Sequence, residues 1–420
     1  MECRLKLFER LKTNNKVLII SLGYLPTVGG SYRVLHELID RDFKDDIDVL
    51  TCKDNLAFKF DSVQKYKIKR SLFLSILNDS ATLLGNFTIL SLNKLLFFRF
   101  IIKSFKYIVF PVVSFFFIFF FVFTKKYKTL VFAQSVLPFA WYIPIFKVVF
   151  NFKILTFVYG EDIVSFRKSG RVSGFLRKIY LKGLYYSDTI IANSLVTQDE
   201  VVRDGISKEK VSIVNPAVDY DFFKPFSKDL AKEQFDLEGK YVLLSVGRLI
   251  RRKGFDTVLS ILPELLKDIP NLIYVIRGEG YDKDYLQNIV TRNNLSDHVR
   301  FIDDLPYEKL PVLYSASDVF ILANRLDEKD NEQEGFGIVF LEANACGLPV
   351  IGGNSGGVKD VIEEGVNGFL IDPSLPNEIK NIVLKINNQT LVLDGHSTRS
   401  FVKEKYNWDR SVKVFNGLLN

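Results

Sequence analysis

A short apolar run, a glycine-bearing turn and a helical stretch recur along this chain, and that unit constrains the fold more than any other feature. Its first copy is Lys16–Leu22 (KVLIISL), the turn Pro26-Thr27-Val28-Gly29-Gly30-Ser31, and a helical pattern through Ile39. Continuous apolar runs of this kind mark strands buried on both faces of a parallel sheet, and doubly wound sheets hold ligands at the glycine turn. The same pattern predicts strands at Asp46–Thr51, Tyr66–Arg70, Thr129–Ala133 and Lys153–Val158, and another within Ser187–Ser194. A second series starts at Tyr241–Val246 and continues through Leu272–Ile276, Val299–Ile302, Asp318–Leu322 and Val350–Gly353. With 420 residues the chain can fill two cores, so two Rossmann-like domains are expected.

Charge divides the chain in the same way. Residues 1–218 carry 32 Lys and Arg against 18 Asp and Glu, whereas residues 219–420 carry 24 against 31. A basic first half points to an anionic surface. Nucleic acid is not expected as a partner, because no recognisable reading element accompanies the charge. Cys3, Cys52 and Cys346 have no metal-ligand spacing and form no disulfide framework, in keeping with a reducing cytoplasm. Val17–Leu22 is too short for the apolar part of a signal peptide. Asp-x-Asp occurs at Asp40/Asp42, Asp46/Asp48, Asp219/Asp221 and Asp282/Asp284, four unrelated places, and His36, His298 and His396 match no catalytic position. No metal is expected.

Tyr107–Phe123 (YIVFPVVSFFFIFFFVF) is seventeen residues without a charge, flanked by Lys103, Lys106, Lys125, Lys126 and Lys128. Its length is at the lower edge for a membrane span. A crossing would put the strands before and after it on opposite sides of a bilayer, although they must share one sheet. The alternatives are a buried helix of the first domain and a monotopic attachment. Flanking lysines and Pro111 favour attachment, with apolar rings entering one leaflet and ammonium heads reaching phosphates.

The chemistry concentrates in the second half. Glu334-Gly335-Phe336-Gly337-Ile338 leads into a helical stretch through Glu342, closed by Gly347-Leu348-Pro349. Glycines ahead of a helix let backbone approach a ligand, and first-turn N–H groups favour an anion. Taken as one helix, Glu334 and Glu342 lie roughly 80° apart around the axis and about 12 Å apart along it. That span suits a ligand with a polar group at each end and phosphates between. Tyr241–Val246 ends in Gly247-Arg248, followed by Arg251, Arg252, Lys253 and Gly254, a plausible seat for a diphosphate.

These stretches resemble the retaining glycosyltransferases of family 4, which have the GT-B fold: two doubly wound, Rossmann-like α/β domains facing a central cleft. The likeness is close in the C-terminal half, especially to mannosyltransferases acting on phosphatidylinositol mannosides, and loose in the N-terminal half. It implies that Glu334 touches the transferred sugar, with Phe336, Gly337 and Ile338 beside the diphosphate and Glu342 on the ribose. Arg248 and Lys253 would bind the diphosphate, while Arg251 and Arg252 need not. Gly247 and Gly278 would lie near the nucleotide, and Gly29 and Gly30 against the diphosphate. Tyr159-Gly160-Glu161 falls where the family has His-Gly beside the sugar, so Tyr159 is a departure. The implied organisation is an acceptor-binding domain over 1–218, a nucleotide-sugar domain over 219–402, and a helix over 403–420 returning to the first. The implied activity is retaining hexosyl transfer from a nucleotide sugar such as GDP-mannose or a UDP-sugar, without metal or other cofactor. The acceptor would be lipid-linked or a polysaccharide, at the cytoplasmic leaflet, in the building of bacterial surface glycan. A catalytically silent GT-B module that binds membrane or partners is the rival; Tyr159 favours it, and Glu334/Glu342 with Arg248/Lys253 oppose it.

Overall fold

The structure, a computed structural model, describes residues 16–25, 30–41, 46–52, 57–71, 110–125, 127–133, 137–164, 167, 171–327 and 332–419. It contains two units. The first comprises the chain up to Ala192, Gln198–Val214 and Val412–Asn420; the second comprises Asn193–Thr197 and Asn215–Ser411.

The first unit is built on a seven-stranded sheet of β1 (Val17–Ile20), β2 (Ile47–Cys52), β3 (Lys67–Ser71), β4 (Thr129–Phe132), β5 (Lys153–Val158), β6 (Thr189–Ala192) and β7 (Val211–Ile213). Its order is β3-β2-β1-β4-β5-β6-β7, with every pairing parallel. The side chains explain who sits in the middle. All four residues of β1 are buried, as are those of its neighbour β4, and Val17 aligns with both Ile47 and Thr129. β3 reads KIKRS with Lys67 exposed, as suits a charged edge. The strands expected on either side of Tyr107–Phe123 thus lie in one sheet.

Helix α1 (Gly30–Asp40) buries Val34, Leu35, Leu38 and Ile39 along one face. His36 on this helix sits 2.6 Å from the Tyr66 hydroxyl, and burial lowers its pKa. Three further helices, α2 (Phe110–Lys125), α3 (Ile143–Phe150) and α4 (Arg171–Tyr186), belong to the same unit. Residues 107–109 of the apolar stretch lie outside the described residues. Among the described residues no helix is long and apolar enough to cross a membrane.

The second unit repeats the plan with β8 (Tyr241–Val246), β9 (Leu272–Arg277), β10 (Val299–Ile302), β11 (Val319–Leu322), β12 (Val350–Gly353) and β13 (Gly368–Ile371). The order β10-β9-β8-β11-β12-β13 is again parallel throughout. Each unit therefore steps outward from its first strand and then reverses, the Rossmann arrangement, and ligands in such sheets bind beyond the strand ends at the reversal. In this unit the reversal lies between β8 and β11. Helix α5 (Phe255–Asp268) covers the sheet with Phe255, Val258, Leu259, Leu262 and Leu265. Helix α6 (Ile338–Ala345) follows the Glu334 loop, and α7 (Trp408–Leu419) closes the chain. Apart from the excursion at Asn193–Thr197, the division between units falls after Val214 and again within α7, after Ser411.

Candidate active site

β8 ends at Val246, Gly247 follows it, and the chain then makes a single 3-10 turn over Arg251–Lys253. About three residues per turn send these neighbouring cations in different directions. Arg251 turns outward: its guanidinium lies over the Tyr285 ring at 3.5 Å and faces Asp256 and Asp282 at 3.6 and 3.5 Å. Arg252 and Lys253 turn inward and are buried. Both meet Glu334. Lys253 Nζ stands 2.6 Å from Glu334 Oε2 and Arg252 Nη1 stands 3.2 Å from the same oxygen. Asn324, two residues beyond the end of β11, donates its Nδ2 to that oxygen at 3.1 Å. Three donors from two strand ends thus converge on Oε2, and among the described residues none donates to Oε1.

The backbone of Glu334 is fixed separately. Gly357 N–H donates to the Glu334 carbonyl at 2.8 Å. A Cβ on Gly356 would come within 2.3 Å of the Glu334 carbonyl oxygen, and one on Gly357 within 2.2 Å of that of Gly335. The turn is a seat shaped to the Glu334 loop. Because Gly357 has an ordinary φ of −70°, its replacement tests the close approach alone. Gly357→Ala is expected to cost about 1–3 kcal/mol, the scale of overpacking, and to displace Glu334. A thermal midpoint equal to wild type would show that the loop has no need of this contact.

Electrostatics follow from this geometry. Burial alone would raise the Glu334 carboxyl, but Lys253, Arg252 and Arg248 outweigh it and bring the pKa down to about 2. On Lys253 burial acts downward and holds the ammonium below the usual lysine range, with Glu334 opposing. Since the folded Glu334 pKa lies below the unfolded value of about 4.3, its contribution is complete above that pH and is lost as pH falls toward about 2. Wild-type stability should therefore fall more steeply than that of Glu334→Gln between about pH 4.3 and 2. Parallel acid titrations of the two proteins followed by circular dichroism check this; equal slopes would contradict it.

Helix α6 begins at Ile338, not at Glu334. Gly337 caps it with φ 99°, where a Cβ would also approach Phe340 Cδ2 at 2.8 Å. This corrects the continuous-helix spacing of the two acids: Glu334 is a loop residue and only Glu342 rides on the helix. The Ile338 and Val339 N–H groups lie in the first turn, which has no intrahelical acceptor for them, and Gly337 supplies no side-chain cap. Glu342 is buried, and its Oε2 accepts from the Tyr314 hydroxyl at 2.8 Å. Phe336 is 3% exposed and meets Tyr406 edge-on, so its ring belongs to the core.

Residues 227–408 match the family model described as glycosyl transferases group 1. This stretch is a glycosyltransferase group 1 domain. The chain is 36% identical over 159 residues to a GDP-mannose-dependent alpha-(1-6)-phosphatidylinositol monomannoside mannosyltransferase of Mycolicibacterium smegmatis, covering 37% of this chain and 42% of that protein. It is 31% identical over 203 residues to the D-inositol 3-phosphate glycosyltransferase of Streptosporangium roseum, covering 46% and 45% of the two. The chain thus spans less than half the length of these two relatives. Among solved structures it resembles Anabaena Alr3699/HepE in complex with UDP and glucose, with a TM-score of 0.70 and 18% identity over 96% of this chain and 99% of that one. That likeness carries the fold, two Rossmann-like domains of the GT-B kind.

Within the glycosyltransferase domain the structure gathers Gly247, Lys253, Glu334 and Gly337 around the ends of β8, β11 and β12. Arg248, exposed at the rim, acts on both Glu334 and Lys253 through its charge. Gly278 packs beneath: a Cβ there would reach 1.9 Å from the Gly247 carbonyl oxygen. Among the described residues no three His, Cys, Asp or Glu side chains gather as a metal site. The remaining candidates belong to the other unit. Gly29 lies outside the described residues, and Gly30 opens α1 exposed. Tyr159 stacks on Phe157 at 6.0 Å, and Gly160, at φ 81°, turns the chain into a short helix beginning at Glu161. Asn324, and the pairing of Arg252 with Glu334, emerge only from the structure.

Proposed function

We propose that the chain is a retaining hexosyltransferase, moving a sugar from a nucleoside diphosphate to a lipid-linked or glycan acceptor at the cytoplasmic leaflet during the building of bacterial surface glycan. The observation that carries the reading is the convergence of Lys253, Arg252 and Asn324 on Glu334 Oε2, which fixes the carboxylate that would accept, through Oε1, from a hydroxyl of the donor sugar. Arg248, Lys253 and the first N–H groups of α6 lie beside it, where charge grows on a departing diphosphate. Fixed charges and dipoles of this kind stabilise such a leaving group without reorganising. The glycosidic bond to the diphosphate breaks as the acceptor oxygen bonds to the sugar carbon on the same face. The acceptor proton passes to a diphosphate oxygen. Glu342, oriented by Tyr314, takes the ribose hydroxyls. The cations perform the work a divalent ion would otherwise do, so transfer proceeds without metal.

The names of the relatives favour GDP-mannose as the first donor to try and an inositol-containing phospholipid or phosphate as the acceptor class. The test incubates purified protein with GDP-mannose and a panel of UDP-sugars, with lipid extract and excess chelator, and follows nucleoside diphosphate release. Release from one donor, undiminished by chelator, is expected. No release from any donor would favour a silent module, and loss with chelator restored by a divalent ion would contradict the metal-free reaction.

A further inference from the structure

The first unit carries an apolar face far broader than the phenylalanine-rich stretch alone. Helices α2 and α3 lie side by side through their rings: Phe115 meets Tyr142 and Phe146 at 5.6 Å, and Phe119 and Phe123 meet Phe150 at 5.3 and 4.9 Å. Ile118 and Val122 are in the core. Much of α2 is therefore used for packing, and its outward side presents Phe116 and Phe120, 64% and 72% exposed. Helix α3 continues the face. Trp141, Ile145, Val148 and Val149 follow the spacing of one helical side, and all are exposed. Helix α4 packs beside α3, with Trp141 and Phe175 in edge-on contact at 5.9 Å. Its exposed side alternates Phe175, Lys178, Lys182 and Tyr185.

A surface helix of a soluble protein turns charges outward. Here the outward side of α3 is wholly apolar, and an exposed patch of this extent marks a contact. Charge identifies the occupant. Helices α2, α3 and α4 contain no Asp or Glu, yet they carry Lys125, Lys147, Arg171, Arg177, Lys178 and Lys182. Lys178 and Lys182 make no ion pair among the described residues. A second protein surface would have to desolvate these lysines, which interface cores disfavour. A bilayer interface accepts them, since their stems lie along apolar surface while the ammonium heads reach lipid phosphates, and Trp and Tyr suit the same depth. We infer that α2, α3 and α4 form one monotopic surface for an anionic bilayer, with Val148, Val149 and Phe175 entering the leaflet and Lys178 and Lys182 binding headgroup phosphates. This rests on the proposed function only in bringing the chain to a lipid-linked acceptor; the contact itself needs no catalysis.

The test sediments the purified full chain with vesicles of equal parts phosphatidylglycerol and phosphatidylcholine, and with phosphatidylcholine alone. Stronger binding to the anionic vesicles, weakened by salt, is expected. The double variant Lys178→Glu, Lys182→Glu should bind them at least about tenfold less, because each lysine near an anionic surface contributes on the order of 1 kcal/mol. Val148→Ser with Val149→Ser should do likewise on both vesicle types, whereas Val392→Ser, at an exposed valine of the other unit, should bind as wild type. Circular dichroism melting shows that each variant is folded, and nucleoside diphosphate binding by the same samples reports separately on the donor site. Equal binding by wild type and both double variants, or no vesicle binding by wild type, would overturn the inference. A change confined to oligomeric state would overturn it too and assign the face to a second copy of the chain.

Discussion

Glu334→Gln is expected to reduce transfer about 100-fold or more while leaving nucleoside diphosphate binding within about threefold. The substitution keeps the shape but removes the charge that Lys253 and Arg252 surround. It should also lower the thermal midpoint of the free protein, because two buried cations lose their counter-ion, a change that costs about 3–5 kcal/mol when one partner of a buried pair is deleted outright. Because binding is kept, a saturating nucleoside diphosphate should raise the midpoint of the variant by about as much as that of wild type. A variant as active as wild type, or one that nucleotide fails to stabilise, would remove Glu334 from the reaction.

The second large effect concerns the turn after β8. Lys253→Ala should lower turnover about 100-fold or more, the scale of losing one preorganised charge stabiliser. Arg251→Ala should stay within about threefold, since its guanidinium is engaged by Tyr285, Asp256 and Asp282, away from Glu334. Arg252→Ala should fall between them, because Lys253 still holds Oε2 when Arg252 is gone. Steady-state kinetics on the three variants would establish the order. A critical Arg251 beside a dispensable Lys253 would mean that the turn works in another register.

Much of this architecture is legible in the amino acids because parallel strands buried on both faces must be apolar throughout. VLII at β1 and VFIL at β11 could hardly serve elsewhere, and the charged KIKRS of β3 belongs at an edge. What is not legible depends on direction. Arg251, Arg252 and Lys253 are three adjacent cations, and only the tight turn decides that the first points outward and the others inward. Asn324 reaches Glu334 across a break of ten residues in sequence, by way of strand order. The start of α6 is set by the left-handed Gly337, which spacing counted from Glu334 overlooks. The outward position of Val148 and Val149 on α3 is likewise visible only in the structure.

The proposed reaction requires that the turn after β8 and the head of α6 form a seat for a nucleoside diphosphate. Titration calorimetry with GDP and UDP, with the matching monophosphates and nucleosides, tests it on wild type, Lys253→Ala and Glu342→Ala. One diphosphate should bind well above its monophosphate and nucleoside. Lys253→Ala should erase most of the preference for diphosphate, and Glu342→Ala should weaken all three forms of that base together by about tenfold, the scale of one lost charged hydrogen bond. Diphosphates binding no better than nucleosides, or both variants binding as wild type, would contradict it.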